Sequence, residues 1–459
     1  MSRLAAIPIT PNMSALMDQT DLLDRAAALV ESALRAGADA ADAVSHRRVS
    51  LGVEMRLGEV EETTRSERDD FTLRVFVGGR NASVSANSMM SSADLVERAV
   101  AMAKAAPEDR FAGLADSDRL ARDLPDLDLL DETIPSVDDL TERAAAAEDA
   151  ARAVAGISNS GGCNAGWSVE GLVLATSSGF TGSYLRSRHS LTAIAIAGEG
   201  TAMERDYDYA IANHLADLPG AAELGTRAGE RTVRRLNPGS IGTGPATVVF
   251  DERVASSLAG HVAAAANGSA VAKRTTFLVD AMGEAVLSPA VTITDDPLRK
   301  RGLASRPFDG DGVEQAPLDL IRDGVLKSWF LDSATARELG LATTGRASRA
   351  GGGTSPGSTN LTVLPGDISR DDLIREVGDG VLITDLIGAG VSIVTGDYSR
   401  GAAGFRIRNG EIAEPLTEIT IAGNLKEMFR RMRPADDLTY RYVTNAPTIA
   451  VEGVTVAGR

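Results

Sequence analysis

Apolar residues recur at helical spacing over 20–36, where Leu22, Leu23, Ala26, Val30 and Leu34 fall on one face. Gly37 closes this run and Asp18 or Thr20 can cap its start. Over 43–84 the period drops to two. Segments 53–57, 71–75 and 82–84 alternate, with breaks at Gly58 and at Gly78-Gly79, which predicts antiparallel strands. Residues 92–105 return to the helical period through Leu95, Val96, Val100 and Met102. An acidic, proline-bearing stretch, 107–135, then separates this unit from a helix predicted over 137–154. It reads as a mobile linker or, equally, as a loop packed over the sheet. Strands resume at 171–175, 182–185 and 191–197, the last apolar on nearly every position, as in a strand buried on both faces. A helix at 221–236, a strand at 247–250 and a helix at 251–266 follow. The remainder is mostly sheet, interrupted by a turn at Asp332-Ser333 and helices near 335–339, 369–377 and 425–432. The pattern predicts an α+β fold of two domains. Residues 1–220 form a helix and antiparallel-sheet unit with its internal linker at about 107–135, and 221–459 form a larger mixed-sheet unit.

The stretch 388–423 organises the second unit. Six glycines lie between 388 and 410, where backbone must bend or approach something closely. A β-branched run over 391–395 leads into a polar turn at 396–401, and Phe405, Ile407 and Ile412 straddle Asn409-Gly410, a strong hairpin signal. The expected order is strand, tight polar loop, strand, Asn-Gly turn, strand. A Gly-rich hairpin in an ordinary sheet is the alternative reading.

The run TGDYSRGAAGF, then NGEI, then EITIAGNLKEMF at 418–429, resembles the C-terminal signature of the PmbA (TldE) branch of the TldD/PmbA family. Similarity of the same kind extends through RTTFLVD at 274–280, GLASRPFDGDGV at 302–313 and the segment 323–345. The resemblance implies a bacterial protein, once labelled a modulator of DNA gyrase, that pairs with a TldD-like subunit. The pair would be a metalloprotease acting on small peptides or unfolded segments, in peptide maturation or antitoxin degradation. Zinc is expected in the TldD-like partner, in an HExxxH helix with a later cysteine, and no cofactor in this chain. This chain would be a non-catalytic subunit, inactive alone. A standalone binding or scaffold protein is the alternative, and an independent hydrolase a third reading.

Composition narrows the choice. The chain has 459 residues, 64 acidic against 47 basic, for a net charge of −17. Such a surface repels phosphate backbones and anionic lipid, so no nucleic acid and no membrane partner is expected. The short basic cluster Arg299-Lys300-Arg301 reads as solvated loop. No run of 18 apolar residues occurs, and the apolar N-terminal run is cut by Pro8 and Pro11, unlike a secretory signal. One cysteine, Cys163, fits a reducing compartment, and the cytoplasm is the expected location. Cys163 is expected in a turn and without chemistry.

Candidate chemistry is sparse. On the predicted helix 251–266, His261 stands where the zinc motif of the TldD branch would begin, but Val262 replaces its glutamate and Ala266 its second histidine. Neither can ligate a metal or carry a proton. His261 is therefore read as a packed histidine, a remnant at most, and Val262 is expected to tolerate change. The other histidines, His46, His189 and His214, are scattered, and Asn445-Ala446-Pro447 stands where the TldD branch would present its cysteine. No catalytic and no metal residue is assigned. The segment 352–359 has the spacing of a phosphate-binding loop, but Ser358 takes the place of the lysine and a strand follows. Asp397, Tyr398, Ser399 and Arg400 remain as candidates for substrate or partner contact, with Asp397 and Arg400 able to close the loop by a charge-assisted bond. A unit of glycine turns and paired strands exposes edges that a TldD-like subunit would cover. The isolated chain is a candidate homodimer.

Overall fold

The computed structural model describes residues 17–87, 91–350 and 352–458. The N-terminal apolar run read above lies outside the described residues. Helix α1 (Gln19–Arg35) is capped by Asp18, whose carboxylate accepts the Thr20 amide. Strands β1 (Ala40–Arg56), β2 (Glu59–Val77) and β3 (Arg80–Asn87) follow, then helices α2 (Ser92–Ala105) and α3 (Val137–Ala153). Next come β4 (Ile157–Thr176), β5 (Thr181–Ala197), β6 (Glu204–Ala212) and α4 (Ala221–Arg234). The six strands form one antiparallel sheet in the order β3-β2-β1-β4-β5-β6. They are longer than the sequence pattern suggests. Cys163 lies inside β4 rather than in a turn, opposite Ala193 of β5. It is buried, and burial followed by the nearby Glu148 carboxylate pushes its thiol up to about 12. A glycine-rich run here does not break the strand, because Gly162 forms a bulge and the ladder continues past it.

Alternation along β1 and β4 puts all four helices on one sheet face. At one end Ala41, Ala43, Leu73 and Val75 pack under Leu22, Ala26 and Val30 of α1 and Leu95 and Ala99 of α2. At the other end Val53, Cys163, Ala165 and Leu191 pack under Leu140 and Ala144 of α3 and Leu224 and Ala228 of α4. The α3–α4 seam is built from small residues. A Cβ on Gly225 would lie 1.9 Å from the Ala147 carbonyl oxygen, so only glycine lets these helices approach so closely. Residues 107–135, read as a mobile linker or as a loop packed over the sheet, pack over it as a strap: Leu120 and Ala121 join Val44, Leu174 and Phe308 on the face away from the helices, and the segment from Leu129 to Ile134 lies on the helix face between the two helix pairs. Leu130 and Ile134 cover Val49, Trp167 and Val169, and Leu127 and Leu129 are buried. The strap's acidic groups act as acceptors and anchors. Asp131 sits 3.3 Å from buried His189 and accepts the Leu215 amide, while Asp128 holds Arg301.

Helix α4, expected at the start of the second unit, thus packs on the first sheet through Leu224 and Ala228, and the second sheet begins with β7 (Gly244–Phe250), followed by α5 (Glu252–Ala265), capped by Asp251. After the short helix α6 (Gly268–Ala272) come β8 (Ile293–Asp295), β9 (Leu318–Arg322), β10 (Val325–Leu326) and helix α7 (Ser333–Leu339). Asp332 and Thr335 form a reciprocal cap at the start of α7, and Gly340 ends it at φ 66°. Then follow β11 (Ala347–Ala350), β12 (Gly353–Pro356), β13 (Leu361–Val363), α8 (Arg370–Val377), β14 (Gly380–Val391), β15 (Asp397–Arg408) and β16 (Glu411–Asn424). The chain ends through α9 (Leu425–Arg430), β17 (Met432–Pro434), β18 (Thr444–Asn445) and β19 (Ile449–Ala457). The sheet order β16-β15-β14-β7-β19-β17 is mixed, with β14 parallel to β7. The fold is therefore α+β, with an antiparallel N-terminal sheet and a mixed C-terminal one. The segment with phosphate-loop spacing is a hairpin strand, β12 on β11, and no helix starts there.

The expected three-strand stretch is present, with the loop displaced. The turn spans 392–396, and residues 397–400 already belong to β15. Asn409 and Gly410 both take positive φ, 52° and 79°, as a two-residue hairpin turn requires. The expected exposed edge is also modified, because β16 pairs with β19 as well as with β15 and these strands curl into a closed ring. Register shifts between β15 and β16 supply the bend. Helix α5 packs against one side of the sheet through Ala255, Leu258, Ala259 and Val262, and α8 against the other through Leu373 and Ile374.

Candidate functional site

Helix α5 and strand β15 bring together residues that the sequence placed in separate readings. Tyr398 and Arg400 alternate with Asp397 and Ser399 along β15. Asp397 and Ser399 are exposed, whereas Tyr398 is 2% exposed and reaches His261 of α5 edge to face, with ring centroids 5.9 Å apart at 73°. Arg400 donates from Nε to the Ile387 carbonyl oxygen at 3.3 Å. The expected Asp397–Arg400 bond is not formed. Asp397 instead accepts the Thr395 hydroxyl at 2.6 Å. Two strand neighbours three positions apart point to opposite faces, which explains why they do not meet.

Burial, and then the Arg400 guanidinium, lowers the His261 pKa to about 4. Burial raises the Tyr398 hydroxyl to about 12, partly opposed by Arg400. Near neutral pH both groups are uncharged. His261 Nε2 and the Tyr398 hydroxyl are buried with no hydrogen-bond partner among the described residues. The arrangement offers a neutral donor–acceptor pair beside a fixed cation, suited to holding a polar group. It is not suited to zinc. Val262 and Ala266 carry no ligand atom and are fully buried in the core, and Arg400 places positive charge beside the one imidazole. Val262 is buried among apolar side chains, so a polar replacement there acts on stability, a separate matter from the expected tolerance of cleavage to change at this position.

A neutral buried histidine has a stability signature. The unfolded chain binds a proton at His261 below about pH 6.5 while the folded one resists until about 4, so this group makes stability fall as pH drops through that window. His261→Phe is expected to reduce the acid-side slope of unfolding free energy between pH 6.5 and 4, measured by denaturant titration. An unchanged slope would place the imidazole in water.

The sequence reading missed a second set of residues, at the junction of the two units. Arg74 of β2 pairs with buried Asp42 and, at 3.2 Å, with Asp311, while Arg349 of β11 pairs with Asp42 at 2.9 Å. Arg346 and Asp295, both fully buried, pair at 2.6 Å. Burial and the adjacent Asp311 push the Asp309 carboxyl up to about 7. The motif segment 302–313 held the signal, since two aspartates and an arginine sit there among glycines.

Among the described residues no helix is long and apolar enough to cross a membrane. Compared with known families, the chain matches three consecutive models of the PmbA/TldA metallopeptidases: domain 1 over 41–103, the central domain over 131–236 and the C-terminal domain over 243–458. It is 36% identical over 447 residues to Metalloprotease PmbA of Escherichia coli O157:H7, covering 96% of this chain and 97% of that one. A Bacteroides thetaiotaomicron protein described as a modulator of DNA gyrase superposes with a TM-score of 0.88 at 27% identity, over 97% of this chain and all of that one. TldE of Thermococcus kodakarensis shares the fold, with a TM-score of 0.83 at 22% identity over 94% of this chain and 99% of that one.

Proposed function

This chain belongs to the PmbA/TldA metallopeptidase family, and from that premise we propose that it is the subunit of a heteromeric TldD-type metalloprotease that lacks the zinc. In this reading a TldD-like partner supplies the HExxxH helix and hydrolyses small peptides or unfolded segments. The present chain completes the chamber and helps hold the peptide. The observation that carries the reading is α5, where core side chains stand in place of the glutamate and the second histidine. The surface beside that helix supports it. Ile387 and Val394 are 62% and 57% exposed at the end of the β14–β15 hairpin, next to Arg400, and offer apolar contact to another subunit.

The test is reconstitution with a TldD-like protein from the same genome. Cleavage of an unfolded peptide is expected only with both subunits, and is expected to vanish with a chelator or with the partner's zinc-site glutamate changed to glutamine. Robust cleavage by this chain alone in chelator would overturn the proposal. Arg400→Glu is expected to weaken pairing or cleavage by roughly tenfold, because the reversed charge meets the same surface. Gel filtration of the mixed subunits and a peptidase assay separate the two effects.

A further inference from the structure

A cavity of about 110 Å³ lies between the two units. Its N-terminal wall is apolar, with Val44 of β1, Leu172 and Leu174 of β4 and Tyr184 of β5. The C-terminal wall carries Phe308, stacked edge-on against Tyr184 at 5.6 Å, two guanidinium groups, Arg306 and Arg349, and the Asp309 carboxyl and Ser348. Arg349 is already committed through Nη1 to Asp42 and through Nε to the Gly310 carbonyl, and only its Nη2 is buried without a partner. Arg306 is different. Its Nε and Nη2, the two nitrogens along one edge of the guanidinium, are both buried without a hydrogen-bond partner. Burial lowers its pKa, with the Asp309 carboxylate opposing. Asp309 does not fill that edge, because its two oxygens accept the amides of Asp311, Val313 and Ala347.

We propose that this inter-unit cavity binds a small organic carboxylate, with Arg306 as its main anchor. The edge formed by Nε and Nη2 is the fork that matches the two oxygens of a carboxylate, and a buried guanidinium without a partner is costly enough to favour one. The walls decide between anions. Sulfate and phosphate are heavily hydrated and gain nothing from Val44, Leu172, Leu174 and Phe308, whereas a carboxylate with a short apolar or aromatic body buries that body against them. The carboxylate has two sources, a free small acid or the C-terminus of a peptide. The cavity stands apart from the His261–Tyr398–Arg400 cluster, and the inference does not depend on subunit pairing.

The full-length chain is titrated by calorimetry with butyrate, benzoate, sulfate and phosphate at constant ionic strength. A short peptide with a free C-terminus is compared with its amidated form. Saturable binding of butyrate or benzoate is expected, with sulfate and phosphate weaker. Arg306→Gln is expected to lose at least about tenfold in affinity, and Arg306→Lys, which keeps the charge but not the fork, a smaller amount. Leu172→Phe, which fills the cavity and leaves both arginines in place, is expected to abolish binding, with folding of each variant checked by circular dichroism. Binding of the free but not the amidated peptide assigns the site to a peptide terminus, and binding of the small acids alone assigns it to a metabolite. No saturable carboxylate binding, or binding that survives both Arg306→Gln and Leu172→Phe, overturns the proposal.

Discussion

Val262→Glu, which places the acid of a zinc motif directly after His261, is expected to destabilise the protein by on the order of 3–5 kcal/mol and to bring in no zinc. Val262 is fully buried, in one cluster with Leu258, Phe250 and Phe330. Among the described residues this cluster is apolar, so a carboxylate there is surrounded by side chains that can neither pair with it nor donate to it. It must either lose its charge, with a strongly raised pKa, or pull the helix away from the sheet. The change also supplies only one missing group, since Ala266 is buried as well and Arg400 stays beside the imidazole. Val262→Ile, by contrast, is expected to cost under about 1.5 kcal/mol. Urea unfolding of the two variants and elemental analysis after zinc exposure make the comparison. A glutamate variant as stable as wild type that holds one zinc per chain would mean that this helix can be turned toward a metal site.

Arg346→Met is expected to cost about 3–5 kcal/mol, a large share of the roughly 5–15 kcal/mol that holds a domain together. Arg346 is fully buried, and its guanidinium donates to Asp295 at 2.6 Å and to the carbonyl oxygens of Ala316 at 2.7 Å, Thr344 at 2.9 Å and Asp295 at 3.1 Å. Asp295 in turn accepts the amide and hydroxyl of Thr359 at 2.6 and 2.8 Å. The arginine thus ties β8, the approach to β11 and the entry to β13 into one point. Removing it strands a carboxylate and several carbonyls away from water. The double variant Arg346→Met, Asp295→Leu is expected to recover part of the loss, because no charge is then left unpaired. If the single and double variants unfold at the same denaturant concentration, the pair contributes through packing rather than charge.

Helices were legible wherever a cap and a 3.6-residue stripe coincided, as at α1, α2 and α3, and strands wherever a glycine pair marked the turn, as at Gly78-Gly79. Strand length was not. The sheet at β4 runs through a glycine-rich segment because its neighbours supply the ladder on both sides, information that is non-local. The candidate site was half legible. The polar run at 397–400 marks Tyr398 and Arg400, and the helix 251–266 marks His261, yet their meeting depends on how α5 lies on the sheet. The Arg346–Asp295 and Arg74–Asp42 pairs link residues 51 and 32 positions apart, and a single sequence offers no local pattern for such partners.

The strap over the first sheet has a consequence for how the chain comes into being. Arg337 of α7 donates from its guanidinium to the carbonyl oxygens of Phe111, Gly113 and Leu114, the first of these 226 residues earlier in the chain. Arg301 donates to the Asp128 carboxylate, 173 residues earlier. On a ribosome, the first part of the strap therefore emerges long before the side chains that fasten it. Until α7 has been synthesised, the nascent chain leaves 111–114 unfastened, while Asp131 is already tied to His189 and Leu215 and keeps Leu130 and Ile134 over Val49, Trp167 and Val169.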